Sequence, residues 1–125
     1  MKNKIIPIGA LSTGVSIILG AFGTHSLKGK IGYDLLQIYE TGTHYLLVHS
    51  LAIIIYGLWI NLMANEKTKC WPAIAFLVGS FIFTGSLYAI TFTAIRGFGM
   101  ITPIGGLLYI AGWFGFAAQA SKNNS

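Results

Sequence analysis

Three histidines, six tyrosines, a single arginine and a single cysteine carry most of the chemistry available to this 125-residue chain. His44 and His49 are five residues apart, so about 140° of helical turn separates them, poor geometry for holding one metal from one helix. His25, from the preceding segment, would have to complete such a site, and no metal is expected. Glu40 and His44 stand four apart, the spacing at which an acid and an imidazole pair on one helical face; the plainer account leaves both solvated at a membrane surface. Tyr45 falls one turn before His49, which suits either a proton-handling site or a buried histidine hydrogen-bonded to a neighbouring helix. Tyr88 and Tyr109 add hydroxyls within long apolar runs. Arg96 is able to hold an anion or lipid headgroup or to pair with Glu40, and it also suits the negative end of a helix dipole. Cys70 has no histidine near it in sequence, which argues against a cysteine nucleophile, and a lone cysteine excludes an intrachain disulfide and CxxC chemistry. Gly105 and Gly106 follow Pro103 rather than a strand, so close helix packing explains them better than phosphate binding. No catalytic constellation emerges.

The segments that must position these groups are almost wholly apolar. Residues 43–63 reach roughly 30 Å as a helix, the thickness of a bilayer's hydrocarbon core. With 54% apolar and 9% charged residues, against about 25% charged in ordinary soluble domains, a soluble core of this size could not hide the apolar surface, whereas a membrane bundle need not. The reading is an all-α membrane protein, one domain over residues 1–125, with four transmembrane helices near 5–22, 43–63, 71–95 and 102–118. A cleavable signal peptide competes for the first span, with Ala21-Phe22-Gly23 as its cleavage site, but the run is longer than a usual signal core. A short interfacial helix is expected between the first and second spans, capped by Asp34, with Gln37 and Glu40 on its polar side and Gly42 marking the bend into the membrane. Residues 64–69 form a tight polar turn, and Trp71 and Pro72 open the third span, which Arg96 ends. Thr102 caps and Pro103 starts the fourth; the tail, residues 121–125, frays. Small residues four apart, Ser12, Ser16 and Gly20, then Ala75 and Gly79, then Ser80 and Thr84, mark faces for close helix approach within the chain or in a homo-oligomer. Trp59 and Trp71 suit an interfacial belt; Trp113 falls mid-span, packed between helices.

Four spans put both termini on one side with Lys2, Lys4, Lys67, Lys69 and Lys122, against Lys28, Lys30 and Arg96 on the other, so the positive-inside rule places the termini in the cytoplasm. The net charge of +5 is scattered over short polar caps, and without a basic face nucleic acid is not an expected partner. In this orientation His25, Glu40, His44 and Arg96 gather near the outer face. His49 is expected at the depth of Tyr88 or Thr91 and of Tyr109, making a polar layer open to the outer side that could take a small molecule or a lipid headgroup.

Gly20-Ala21-Phe22-Gly23-Thr24-His25, Tyr45 with His49-Ser50-Leu51-Ala52, Gly85-Ser86-Leu87-Tyr88, and Thr102-Pro103-Ile104-Gly105-Gly106 with Ala111-Gly112-Trp113 together resemble the family of small bacterial inner-membrane proteins numbered 423 among the domains of unknown function. The likeness covers nearly the whole chain in order and spacing. It implies four helices in the bacterial cytoplasmic membrane, with relatives in mitochondria, and brings no activity. Thr24 stands where the family commonly has alanine and His44 where members carry other polar residues, which leaves His25, Tyr45 and His49 as the better site candidates.

Three functions are weighed. The first is a noncatalytic accessory or assembly bundle in the lipid bilayer, whose histidine, tyrosine and arginine layer packs helices and holds a lipid headgroup. The second is a small oligomeric transporter or proton-coupled conduit with His49 as its titrating group. The third is a quinone- or haem-binding protein using His25 and His49, which requires the two rings to face each other. No cofactor is assigned.

Overall fold

The computed structural model describes residues 2–63 and 65–123. Met1, Ala64, Asn124 and Ser125 lie outside the described residues, and with them the first residues of the expected leader and polar turn and the tip of the tail. Four helices, each long and apolar enough to cross a membrane, follow one another: α1 (Ile5–Phe22), α2 (Tyr33–Leu62), α3 (Trp71–Thr93) and α4 (Thr102–Asn123). A 3-10 turn, Lys2–Lys4, leads into α1, a π-helical turn, Gly23–Leu27, continues it, and a second 3-10 turn, Arg96–Met100, joins α3 to α4.

The separate interfacial helix is corrected: α2 runs unbroken for 30 residues. Gly42 is buried and makes no bend. Its carbonyl accepts a 2.8 Å hydrogen bond from the Thr84 hydroxyl, and a Cβ there would meet Tyr88 at 3.3 Å. The glycine serves close approach to α3. The first third of α2 stays in line with the rest of the helix and docked on the bundle, where Leu36 and Tyr39 are buried with Leu27 and packed against Ile31 and Tyr88. Asp34 does not cap it either; Gly32 holds the N-cap position, and the Asp34 carboxylate reaches Arg96 instead. The end of the third span is likewise corrected. α3 stops at Thr93, where Ala94 takes a left-handed conformation, φ 59°, and its N–H closes on the Ile90 carbonyl at 2.7 Å. Arg96 therefore lies beyond the helix, in the turn. Thr102 is the first residue within α4, and its hydroxyl meets Ser86 at 2.6 Å across α3. Ser121 and Lys122, expected to fray, continue α4.

Packing is serial: α1 lies on α2, α2 on α3 and α3 on α4. The small-residue stripes are the seams. Ser12 of α1 meets Ser50 of α2 at 2.5 Å, and a Cβ at Gly9 would come within 2.7 Å of the Ile54 side chain and 3.0 Å of its backbone nitrogen. Between α3 and α4 the backbones are closer still, since a Cβ on Gly105 would lie 2.5 Å from the Phe83 nitrogen. Without water to drive association, such close van der Waals fit is what holds membrane helices together. The main core unites Ile5, Ala52, Ile53, Tyr56, Phe76 and Tyr109 across all four helices. Lys2 Nζ donates to the Asn65 carbonyl and the Lys69 N–H to Gln119 Oε1, so the N-terminal turn, the 65–69 turn and the end of α4 share one end of the bundle.

Candidate functional site

His49 projects from α2 toward α4. Its Nδ1 lies 2.9 Å from the Tyr45 carbonyl, one turn back on the same helix, and Trp113 Nε1 lies 3.0 Å from its Nε2. A carbonyl only accepts and an indole N–H only donates. The ring is therefore neutral, with its proton on Nδ1, and both nitrogens are engaged. Its face stacks on Tyr109 with centroids 3.5 Å apart and planes within 11°, while Phe76 flanks it at 5.6 Å. The Tyr109 hydroxyl donates to Ser80 Oγ at 3.0 Å, which donates to the Phe76 carbonyl at 2.8 Å. Two donor chains, Trp113 to His49 to Tyr45 and Tyr109 to Ser80 to Phe76, thus each end on a helix carbonyl. His49 and Tyr109 are each 4% exposed, whereas Tyr45 and Trp113, at 41% and 39%, form the outer cover.

A second cluster lies toward the end opposite the termini, roughly 9 Å of helix rise from His49 to Thr43. Tyr88 stacks on Tyr39, centroids 4.5 Å apart, and its hydroxyl meets Thr43 Oγ1, which donates to the Tyr39 carbonyl at 3.0 Å. The Tyr39 hydroxyl donates to the Leu19 carbonyl at 2.5 Å, tying in α1. The expected depth of His49 is thereby corrected in part. Tyr109 is level with it, but Tyr88 and Thr91 are not: Thr91 reaches the Leu35 carbonyl at 3.4 Å, far along α2. The reason is the true length of α2. His49 is sixteen residues in from Tyr33, as Leu77 is from Thr93, so its neighbours on α3 are Phe76 and Ser80.

The remaining candidates stay at the far end and come together less than expected. Arg96 pairs with Asp34 at 3.2 Å rather than with Glu40, and both side chains are largely exposed, 62% and 75%. Glu40 and His44 are exposed on α2, beside Gln37, Thr41 and Tyr45 around an open concavity of about 390 Å³. His25 is exposed on the π-helical turn, at the level where Gly23 abuts Tyr39. About 15 Å of helix rise separates Tyr39 from His49, so the rings of His25 and His49 do not face each other across a shared gap. Among the described residues, no cluster of three or more His, Cys, Asp or Glu is close enough to hold a metal ion. A second groove, about 350 Å³ and lined mostly by apolar side chains such as Val15, Leu46 and Phe81, lies between α1 and α3 over α2.

Sequence reasoning missed Trp113, Ser80 and Asp34 as partners. A tryptophan in the middle of a membrane span was the available signal for the first, because its N–H has no water to bond and must find an acceptor.

Comparison with known proteins agrees with this architecture. The family described as "Protein of unknown function (DUF423)" matches residues 19–106. A UPF0382 membrane protein of Staphylococcus haemolyticus is 42% identical over 113 residues, 90% of each chain. One from Haemophilus influenzae is 34% identical over 125 residues, 100% of this chain and 99% of its own. The UPF0382 membrane protein YwdK of Bacillus subtilis is 34% identical over 122 residues, 98% of each. No solved structure matches. With a family match over most of its length and relatives named as membrane proteins along nearly all of it, this four-helix chain belongs to the DUF423 family of membrane proteins, a family of unknown function.

Proposed function

We propose that the protein is a noncatalytic bundle of the bacterial cytoplasmic membrane, an assembly or accessory subunit with both termini in the cytoplasm, whose histidine and tyrosine layer fixes how its helices pack. One observation carries this reading: both donor chains around His49 end on helix carbonyls, and among the described residues no buried side-chain nitrogen or oxygen lacks a partner. A site that turns over substrate keeps a polar group available to meet it. Here the buried layer closes on itself. A proton conduit through His49 would have to break the Trp113 bond each time the ring gained its second proton, since His⁺ has no acceptor nitrogen.

The orientation rests on charge. Lys2, Lys4, Lys67, Lys69 and Lys122 stand at the end with the termini, and Lys28, Lys30 and Arg96 at the other, the bias that keeps the more basic side in the cytoplasm. Self-association then has to use lipid-facing surface, for the small-residue stripes are occupied inside a single chain; Gly14, Gly85 and Gly106 are positions where a Cβ would meet open space.

The test uses proteoliposomes of the full chain and of His49→Gln. On this reading the substitution lowers the thermal midpoint, and neither protein supports a flux driven by a pH gradient. A wild-type proton flux that His49→Gln abolishes while the thermal midpoint holds would overturn the reading in favour of transport.

A further inference from the structure

One exposed face of α2 changes character along its length. Positions 37, 41, 44, 48, 51, 55, 58 and 62 recur at alternating steps of four and three, and all are exposed, which makes them one stripe on the outside of the bundle. From Val48 on the stripe is Leu51, Ile55, Leu58 and Leu62, side chains suited to lipid. Before Val48 it is polar: Gln37, Thr41 and His44, flanked by Glu40 and Tyr45, surround the concavity of about 390 Å³. The hydrogen bonds from Thr84 to Gly42 and from Thr91 to Leu35 set α2 against α3 so that Glu40 is level with Ser86, roughly 10 Å of helix rise inward of Thr93. Phe92 still exposes its ring farther out. The polar stretch therefore lies between apolar surfaces, at a depth where ionisable side chains turn to a partner or to water. Within the chain it is only partly satisfied. Gln37 Nε2 donates to the Tyr33 hydroxyl at 2.8 Å, and the Thr41 hydroxyl donates to the Gln37 carbonyl at 2.9 Å. Among the described residues, the Glu40 carboxylate, the His44 ring nitrogens and the Tyr45 hydroxyl make no hydrogen bond. Glu40 and His44 stand one turn apart without pairing, and His44 sets its ring edge-on to Tyr45 instead.

We infer that this polar stretch of α2 is the contact between two copies of the chain, related by a two-fold axis along the membrane normal. Both copies share one orientation in the bilayer, so their α2 helices run parallel and each position meets its counterpart or a neighbour one turn away. Glu40 of each copy then comes within about 6 Å of helix rise of His44 of the other, and Tyr45 adds a hydroxyl beside it. Acceptors without a donor face donors without an acceptor, and the symmetry makes the match twice. Such self-complementarity is what an isologous interface requires, and it singles out a second copy over a different protein. A small solute fits less well, because all five residues around the concavity stand on one helix and hold from one side only. The second copy supplies the opposite wall. The inference goes beyond the packing role of His49 and does not rest on it, since that ring turns to Trp113 of α4; either reading can fail with the other intact.

The test measures energy transfer between full-length chains carrying a donor or an acceptor fluorophore at the C-terminus, in phosphatidylcholine vesicles over a range of lipid-to-protein ratios. Wild type is expected to show saturable transfer above that of random proximity. Glu40→Lys places a cation against the other copy's imidazole, and His44→Glu gathers four carboxylates at the contact. Each variant alone is expected to lose affinity by roughly tenfold or more. Mixed together, the two variants put lysine opposite glutamate and histidine opposite Glu40, and transfer between them is expected to return; its return also shows that both fold. Glu40→Gln, which nearly keeps the size, is expected to weaken association with its thermal midpoint unchanged. Glu66→Lys, the same charge change in the exposed turn before α3, is expected to stay within about twofold of wild type. Wild-type transfer no greater than random proximity overturns the interface. So does full association of Glu40→Lys and His44→Glu, each tested alone. Loss in both that mixing does not restore, with thermal midpoints held, overturns a second copy as the occupant in favour of a partner of other chemistry.

Discussion

His49 stands between two partners that can each bond in one way only, and this makes its protonation state a property of geometry. Trp113 supplies a donor and nothing else, Tyr45 an acceptor and nothing else. Trp113→Phe keeps an aromatic ring at that position but removes the donor, leaving a buried imidazole nitrogen unpaired. The expected cost is about 1–3 kcal/mol, read as a lower thermal midpoint in detergent. In the wild type, nitrogen NMR is expected to find the His49 proton on Nδ1 alone; the variant is expected to lose that preference. By contrast the Asp34–Arg96 pair, exposed on both sides, contributes at most about 1 kcal/mol. The sequence reading singled out His49, Tyr45 and Tyr109, but from one helical period it could not show the indole, since a bond between α2 and α4 depends on which faces three packed helices turn toward one another.

At the scale of elements, glycine has two uses in neighbouring positions. Gly105 is pressed against the Phe83 backbone, where a Cβ would lie 2.5 Å from its nitrogen, while at Gly106 a Cβ would meet nothing within 4 Å. Gly105→Ala must therefore push α4 off α3 and is expected to destabilise the bundle by about 1–3 kcal/mol, the usual cost of overpacking. Gly106→Ala is expected to be neutral or to stabilise by up to about 1 kcal/mol through helix propensity. Thermal unfolding of the two single variants checks both signs at once. The four apolar runs were legible because length and composition decide a membrane span. The continuity of the first third of α2 with the rest of that helix was not. Residues 33–42 carry an amphipathic pattern that fits a helix lying flat on the surface and one standing on end equally well. Docking of Leu36 and Tyr39 against Leu27 and Tyr88 decides between them, and Gly42 looks in sequence like a bend until Thr84 and Tyr88 are seen packed against it.

For the whole molecule, both ends of the chain share one end of the bundle and most of the lysines stand with them. On the orientation proposed above, Lys30→Cys in a Cys70→Ser background is expected to react with a membrane-impermeant maleimide added to intact spheroplasts, and Lys122→Cys to react only after lysis. The reverse labelling would invert the protein in the bilayer while leaving its fold untouched. Charge bias was legible at this scale because it needs only a count along the chain; the contact of Lys69 with Gln119 was not, since it unites a turn with the end of a helix fifty residues on.

The serial packing of the helices bears on how the protein is made. Each helix rests chiefly on the one before it, so a span emerging from the ribosome meets its principal neighbour already in the bilayer. Early spans thus have a packing partner close at hand, which limits the exposure in which incomplete proteins are prone to associate wrongly. Only α4 brings the indole that closes over His49, which makes that bond a marker that the fourth helix has joined the other three.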